Sequence, residues 1–216
     1  MQDKKHKIRN RILIIVAIVI VVTLLFKIGY YLLSKNYVDN ALSEKYGSIS
    51  HSVKKFQEEN IRKSCAKCIT SLPSSLSSDK FLMYDDKNDF YFHVNFNFSF
   101  VYDDYLHKYV GKKLKDIFRS EMNAESDPAF DDFDICSTEE VYINPGNLGS
   151  PSDELKAIDK ADSEKLTERF SGTEVMLKFR SDRTQADDEL ITKLTEFLKK
   201  YNIELYVDDR TVFDLQ

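Results

Sequence analysis

Between Ile12 and Leu33 the chain reads ILIIVAIVIVVTLLFKIGYYLL, with Lys27 as its one charged residue. At about 1.5 Å per residue, these 22 residues make a helix of roughly 33 Å, enough to cross a hydrocarbon core of about 30 Å. Lys27 lies near the far end, where its long stem can snorkel to the headgroups. Tyr30 and Tyr31 fall where an aromatic belt is expected. The stretch predicts a transmembrane helix over residues 12–33, with the lipid bilayer as its partner.

Charge gives the orientation. Lys4, Lys5, Lys7, Arg9 and Arg11 precede the span against the single Asp3, whereas Lys35 and Lys45 behind it are diluted by Asp39 and Glu44. Such a bias keeps residues 1–11 as a basic cytoplasmic tail and places the chain from about Ser34 onward outside. The expectation is a single-pass cell-membrane protein with an extracellular C-terminal domain. A cleaved secretory signal shares the charged start and apolar run. The segment KIGYYLLSKNY at the end of the run holds no small-x-small site and favours an uncleaved signal anchor.

Subtracting the tail's net +4 and Lys27 from the chain's −5 leaves −10 for the region beyond the span. So acidic a region argues against nucleic acid as a partner. Abundant Lys, Asn, Ile and Tyr with no Trp points to an AT-rich bacterial genome. Three cysteines allow at most one internal bridge, which excludes a small disulfide-built scaffold.

Residues 34–47 continue in helical register as a stalk, with Gly47 as its stop. A helix is predicted over Ser48–Leu72, capped by Ser50 or Ser52, with Val53, Phe56, Ile61, Cys65, Cys68 or Ile69, and Leu72 on one stripe. Phe81–Tyr84 and Phe90–Val101 read as a hairpin around DDKND. In the second strand Phe90, Phe92, Val94, Phe96, Phe98 and Phe100 alternate with Tyr91, His93, Asn95, Asn97 and Ser99. One face belongs under a helix and the other in water. Asp103 or Asp104 caps a helix to about Met122, and Phe133–Ile143 includes a strand.

Asn144–Asp153 (NPGNLGSPSD) is the strongest turn signal and separates regions 48–143 and 144–216, which are two units or parts of one domain. Beyond it the pattern predicts a helix from Ser152 or Asp153 to about Phe170 and a strand over Thr173–Phe179. A helix over Asp187–Tyr201 and strands over Ile203–Val207 and Thr211–Phe213 come after them. The fold class is α+β, with a mixed or mostly antiparallel sheet packed on several helices. The last strand–helix–strand fits a parallel crossover.

The chemistry-bearing residues are few. Cys65-Ala-Lys-Cys68 has the spacing of a redox dithiol or half a zinc site. Both cysteines fall on the apolar stripe of the predicted helix, as buried small hydrophobes do; a disulfide or redox pair is the alternative. His6, His51, His93 and His107 show no HExxH or other ligand spacing. Asp127, Asp131, Asp132, Asp134, Glu139 and Glu140 lack the EF-hand order and read as a solvated acidic loop. Gly146 and Gly149 belong to no phosphate-binding pattern, and no GxSxG elbow occurs. Asn97-Phe98-Ser99 matches a glycosylation sequon, a frequent chance pattern. No catalytic residue, metal ligand or cofactor is predicted.

A basic tail, one span, a stalk closing on Glu44-Lys45-Tyr46-Gly47 and a helix opened by Asp103-Asp104-Tyr105-Leu106 resemble uncharacterised single-span membrane proteins of low-GC Gram-positive bacteria. The resemblance covers about residues 1–122 and implies a location but no activity.

The expected function is protein–protein contact by an extracytoplasmic sensor, adaptor or regulator, with Tyr91, His93, Asn95 and Asn97 as its contact surface. The alternatives are an accessory subunit of a secretion, conjugation or cell-division assembly, and an extracytoplasmic thiol-disulfide enzyme using Cys65 and Cys68.

Overall fold

The computed structural model describes residues 2–57, 78–138, 150–182 and 184–213 of the 216-residue chain. Two compact units emerge, Met1–Ala41 and Leu42–Gln216.

The first unit is helical throughout. Helix α1 runs from Gln2 to Tyr46, and its stretch from Asn10 is long and apolar enough to cross a membrane. The side chains from Ile12 to Leu33 are largely exposed, with Phe26 at 76%.

In the second unit, Gly47 stands at the end of α1 with φ 78°, and its N–H donates to Ser43 O at 2.9 Å. That left-handed conformation suits glycine and satisfies a carbonyl of the last turn. Strands β1 (His51–Gln57), β2 (Asp79–Asp85), β3 (Phe90–Asn97) and β4 (Phe100–Asp103) come next, all antiparallel and in the order β1-β2-β3-β4. Helix α2 (Tyr105–Glu121) leads to a 3₁₀ turn over Pro128–Asp131 and strand β5 (Phe133–Ser137). Helices α3 (Pro151–Lys160) and α4 (Ser163–Arg169) precede β6 (Glu174–Phe179), α5 (Gln185–Lys199) and β7 (Glu204–Asp208). β5 pairs antiparallel with β6, and β6 pairs parallel with β7 across α5, the expected crossover.

Four expectations need correction. A strand, β1, stands where a helix was predicted from Ser48. Val53 pairs with Met83 and Phe56 with Phe81, and a bulge between Val53 and Lys55 absorbs the extra Lys54. Met83 and Phe81 share a face, so the bulge puts Val53 and Phe56 on one side at a spacing of three, which imitates a helix. The rest of the predicted helix, Cys65 and Cys68 included, lies outside the described residues.

The long alternating strand turns back at Phe98-Ser99. Asn97 Oδ1 accepts from Ser99 N at 2.9 Å and Phe100 N at 3.2 Å, an Asx turn. Because Asn97 pairs with Phe100, Phe100 joins the outer face rather than the inner one. The period of two runs straight through the reversal, which hides it.

The helix predicted to run to Phe170 breaks at Asp162, whose extended backbone and side chain cap α4 by accepting Lys165 N at 2.8 Å. The predicted last strand, Thr211–Phe213, is a turn that buries Val212 and joins β6 through one bond, Val212 N to Phe179 O, at 2.9 Å.

Phe81, Met83, Phe90, Phe92, Val94 and Phe96 form the inner face of the first sheet, all fully or almost fully buried. Tyr105 of α2 packs on it, 5.3 Å from the Phe90 ring and 5.0 Å from Phe92. Phe133, Ile135, Val175, Leu177, Leu194, Phe197 and Leu198 make the second core. α2 binds the two. A Cβ on Gly111 would stand 1.8 Å from Ile135 O, so only glycine lets the helix lie this close to β5.

Candidate functional site

Charge concentrates where the two sheets meet. Asp134 on β5 is 3% exposed and accepts from Arg180 Nη2 at 2.7 Å and, through its other oxygen, from Tyr91 N at 3.3 Å. Arg180, just past β6, also donates to Asp89 Oδ1 at 3.1 Å and to Asp89 O at 2.9 Å. Its guanidinium lies 5.1 Å from the Tyr91 ring. Asp89 holds a left-handed backbone at φ 56° in the β2–β3 turn and accepts from Tyr84 OH at 2.7 Å. Burial opposes its charge, but the Tyr84 hydrogen bond and Arg180 hold its pKa below the usual carboxylate value.

A second group links β6 to the end of β7. Lys178 and Asp208 approach to 3.4 Å, and Arg210 grips Asp208 with bonds of 3.0 and 2.9 Å. The Arg210 hydrogen bond leads the effects that pull Asp208 down to about 2. On α2, Lys115 donates to Phe133 O, and burial lowers its pKa to about 8. Lys108, 2% exposed, lies within electrostatic reach of Cys136, Asp104, Asp134 and Asp208.

Asp104, at the N-cap of α2, does not cap with its side chain. It turns instead to His93, accepting from the backbone N at 2.6 Å with Oδ2 3.3 Å from Nδ1.

The predicted contact residues therefore divide. Tyr91 is half-buried against Tyr84, Phe213 and Arg180, and His93 is held by Asp104. Asn97 caps the hairpin turn with its side chain. Beside Asn95 and Asn97 stand their partners Tyr102 and Phe100 on the edge strand β4, 62% and 40% exposed, with Phe98 at the tip at 53%. Phe90 to Tyr102 holds no Asp, Glu, Lys or Arg in a chain that is 31% charged.

The acidic run is not one site. Asp127 accepts Ala129 N at 3.0 Å, Asp131 pairs with Arg119 at 2.9 Å, and Asp132 accepts from Ser181. Glu139 and Glu140 lie outside the described residues, as do Gly146 and Gly149. Among the described residues no group of three or more His, Cys, Asp or Glu could hold a metal ion. Cys136 is a free buried cysteine whose thiol is pushed up to about 11 by burial, unsuited to nucleophilic work. His51 Nδ1 lies 3.2 Å from Ile49 O, and His107 Nδ1 lies 3.2 Å from Ser137 O.

Comparison with protein-family models, curated proteins and solved structures finds no match.

Proposed function

We propose that this is a single-pass membrane protein, anchored by residues 12–33 with its N-terminus in the cytoplasm, whose extracytoplasmic domain works by binding another protein. The helix from Asn10, with its apolar side chains exposed, supports the anchor. The flanking Lys/Arg bias supports the orientation.

The observation that carries the binding reading is the β3–β4 hairpin. Phe98, Phe100 and Tyr102 are exposed on or beside a strand that, among the described residues, has one neighbour in its sheet, and Asn95 and Asn97 lie next to them. An uncharged surface of aromatic and amide side chains is the composition of a contact core, and natural proteins otherwise protect such edges. The partner buries this edge. Lys178, Asp208, Arg180 and Asp134 serve instead to fix the second sheet and, through Asp89, the β2–β3 hairpin.

The test is a photo-activated cross-linking residue at Tyr102 in intact cells, with a second at Lys156 on α3 as control. A defined adduct with another protein from position 102 alone is expected. No adduct at 102, or the same products from both positions, would overturn the binding surface.

A further inference from the structure

The end strands of the two sheets are not alike. β1 carries a bulge between Val53 and Lys55 and the exposed Lys54 and Lys55. β7 opens on exposed Glu204 and closes on Asp208, with Asp209 next, and β5 lies against α2. Bulges, charges and covering elements keep such edges from pairing with other chains. Among the described residues β4 has none of the three over Phe100-Val101-Tyr102. Its first charged residue, Asp103, has a side chain 0% exposed and is neutralised by Lys45 Nζ at 2.8 Å.

The ladder register says what this edge offers. Asp104 N donates to His93 O at 3.2 Å, and in an antiparallel pair such bonds recur at every second residue. Tyr102 and Phe100, opposite Asn95 and Asn97, are therefore the β4 residues that bond to β3. The N–H and C=O of Val101 point the other way, toward the open side. Two Val101 residues related by a two-fold axis supply each other with one donor and one acceptor. Phe100 of each copy then falls opposite Tyr102 of the other, at positions where Cα atoms stand about 4.5 Å apart. Both side chains lie on the outer face, 40% and 62% exposed, so the pairing forms two cross-strand aromatic pairs.

We propose that a second copy of this chain covers the edge, with β4 pairing antiparallel to β4 about a two-fold axis at Val101. The proposal rests on the reading of β4 as a contact surface and identifies the partner. Charge favours a second copy. A two-fold contact sets a patch against itself, so a charged patch repels its own image. Past residue 33 the chain is acidic overall, and two copies repel except where charge is missing; Phe90 to Tyr102 holds no Asp, Glu, Lys or Arg. Copies anchored in one bilayer also share an orientation and a high effective concentration, which lets a short ladder suffice.

The test uses full chains in cell membranes. A chain with Phe100→Cys and one with Tyr102→Cys, under different tags, are co-expressed and oxidised. A disulfide-linked species of twice the 25.2 kDa chain mass, holding both tags, is expected. Either variant alone should link far less, because two copies of one position lie diagonally, at about 7–8 Å, beyond the reach of a disulfide. No linkage from the pair, or equal linkage from the single variants, would overturn the proposal. A photo-activated cross-linker at Tyr102 in the otherwise native chain gives a reading that stands whether or not the cysteine variants fold. An adduct of twice the chain mass is expected. An adduct with a different protein would overturn the second copy and leave β4 as a contact surface, whereas no adduct would overturn both.

Discussion

Arg180 and Asp89 are 91 residues apart in sequence and 3.1 Å apart in the fold. Through that contact and Asp134, one guanidinium joins the end of β6, the strand β5 and the turn of the β2–β3 hairpin. Its pKa is raised: burial works against the charge, but Asp134 and Asp89 outweigh it. Arg180→Met should leave Asp134 buried without its partner and destabilise the domain by about 3–5 kcal/mol. Asp134→Leu with Arg180→Met should recover most of that loss, because no charge is then stranded. Urea unfolding of the detergent-solubilised chain, tracked by tyrosine fluorescence, measures both.

Gly111→Ala brings a methyl group to within 1.8 Å of Ile135 O, a backbone atom that cannot swing aside. The helix must lift from β5, at a cost of about 3 kcal/mol, the upper end for overpacking. The change Ser120→Ala at an exposed position on the same helix should cost less than about 0.5 kcal/mol. The same unfolding experiment compares them.

Lys115 gives a pH dependence with a definite sign. Burial lowers its folded pKa from 10.5 to about 8, so between those values the unfolded chain binds more protons than the native one. Stability from this group therefore rises with pH across that window. Lys115→Met should lose that rise. The comparison belongs below pH 10, since Tyr105 and Tyr109, raised by burial and then by hydrogen bonds to Asp85 and Asp159, act in the opposite sense above it. Melting temperatures of the two proteins from pH 7.5 to about 9.5 decide the matter.

Asp208 governs the acid side. Its pKa falls from 3.8 unfolded to about 2 folded, so its contribution is complete above about 4 and is lost as pH drops toward 2. Arg210→Ala removes the leading cause and should flatten the loss of stability between pH 4 and pH 2. Acid titration monitored by circular dichroism reads the difference.

Tyr102→Asp should change stability by less than about 0.5 kcal/mol, because the side chain is 62% exposed. The same substitution should remove the adduct expected from a cross-linker at Phe100. Loss of the adduct in a protein that unfolds at the native midpoint separates recognition from folding.

Local periodicity made α2, α5, β6 and β7 legible, and the strand–helix–strand order gave the parallel pair. Features set by partners far along the chain were hidden. Lys54 is one residue too many for an alternating strand, and only pairing with β2 shows that a bulge absorbs it. Asn97 reads as one more outward residue until its side chain is seen closing a turn, which moves Phe98 and Phe100 out of the core and into solvent. Lys108, Lys115 and Lys178 look like solvent-facing charges on periodic elements. Their burial depends on Asp104, Phe133 O and Asp208, which no spacing rule links to them. Gly111 carried no turn signal, since its role is a close approach to a strand beyond the helix. Alternation puts His93 on the wet face, and Asp104, its hydrogen-bond partner in the fold, reads as a helix cap.

The central claim is an anchored chain with its domain outside the cell, and labelling with a membrane-impermeant maleimide tests it most directly. Single cysteines placed at Lys156, whose side chain is 66% exposed, and at Gln2 are compared with the native chain on intact and lysed cells. The account predicts added labelling of Lys156→Cys on intact cells and of Gln2→Cys only after lysis. Added labelling of Gln2→Cys on intact cells, with Lys156→Cys reached only after lysis, would contradict it.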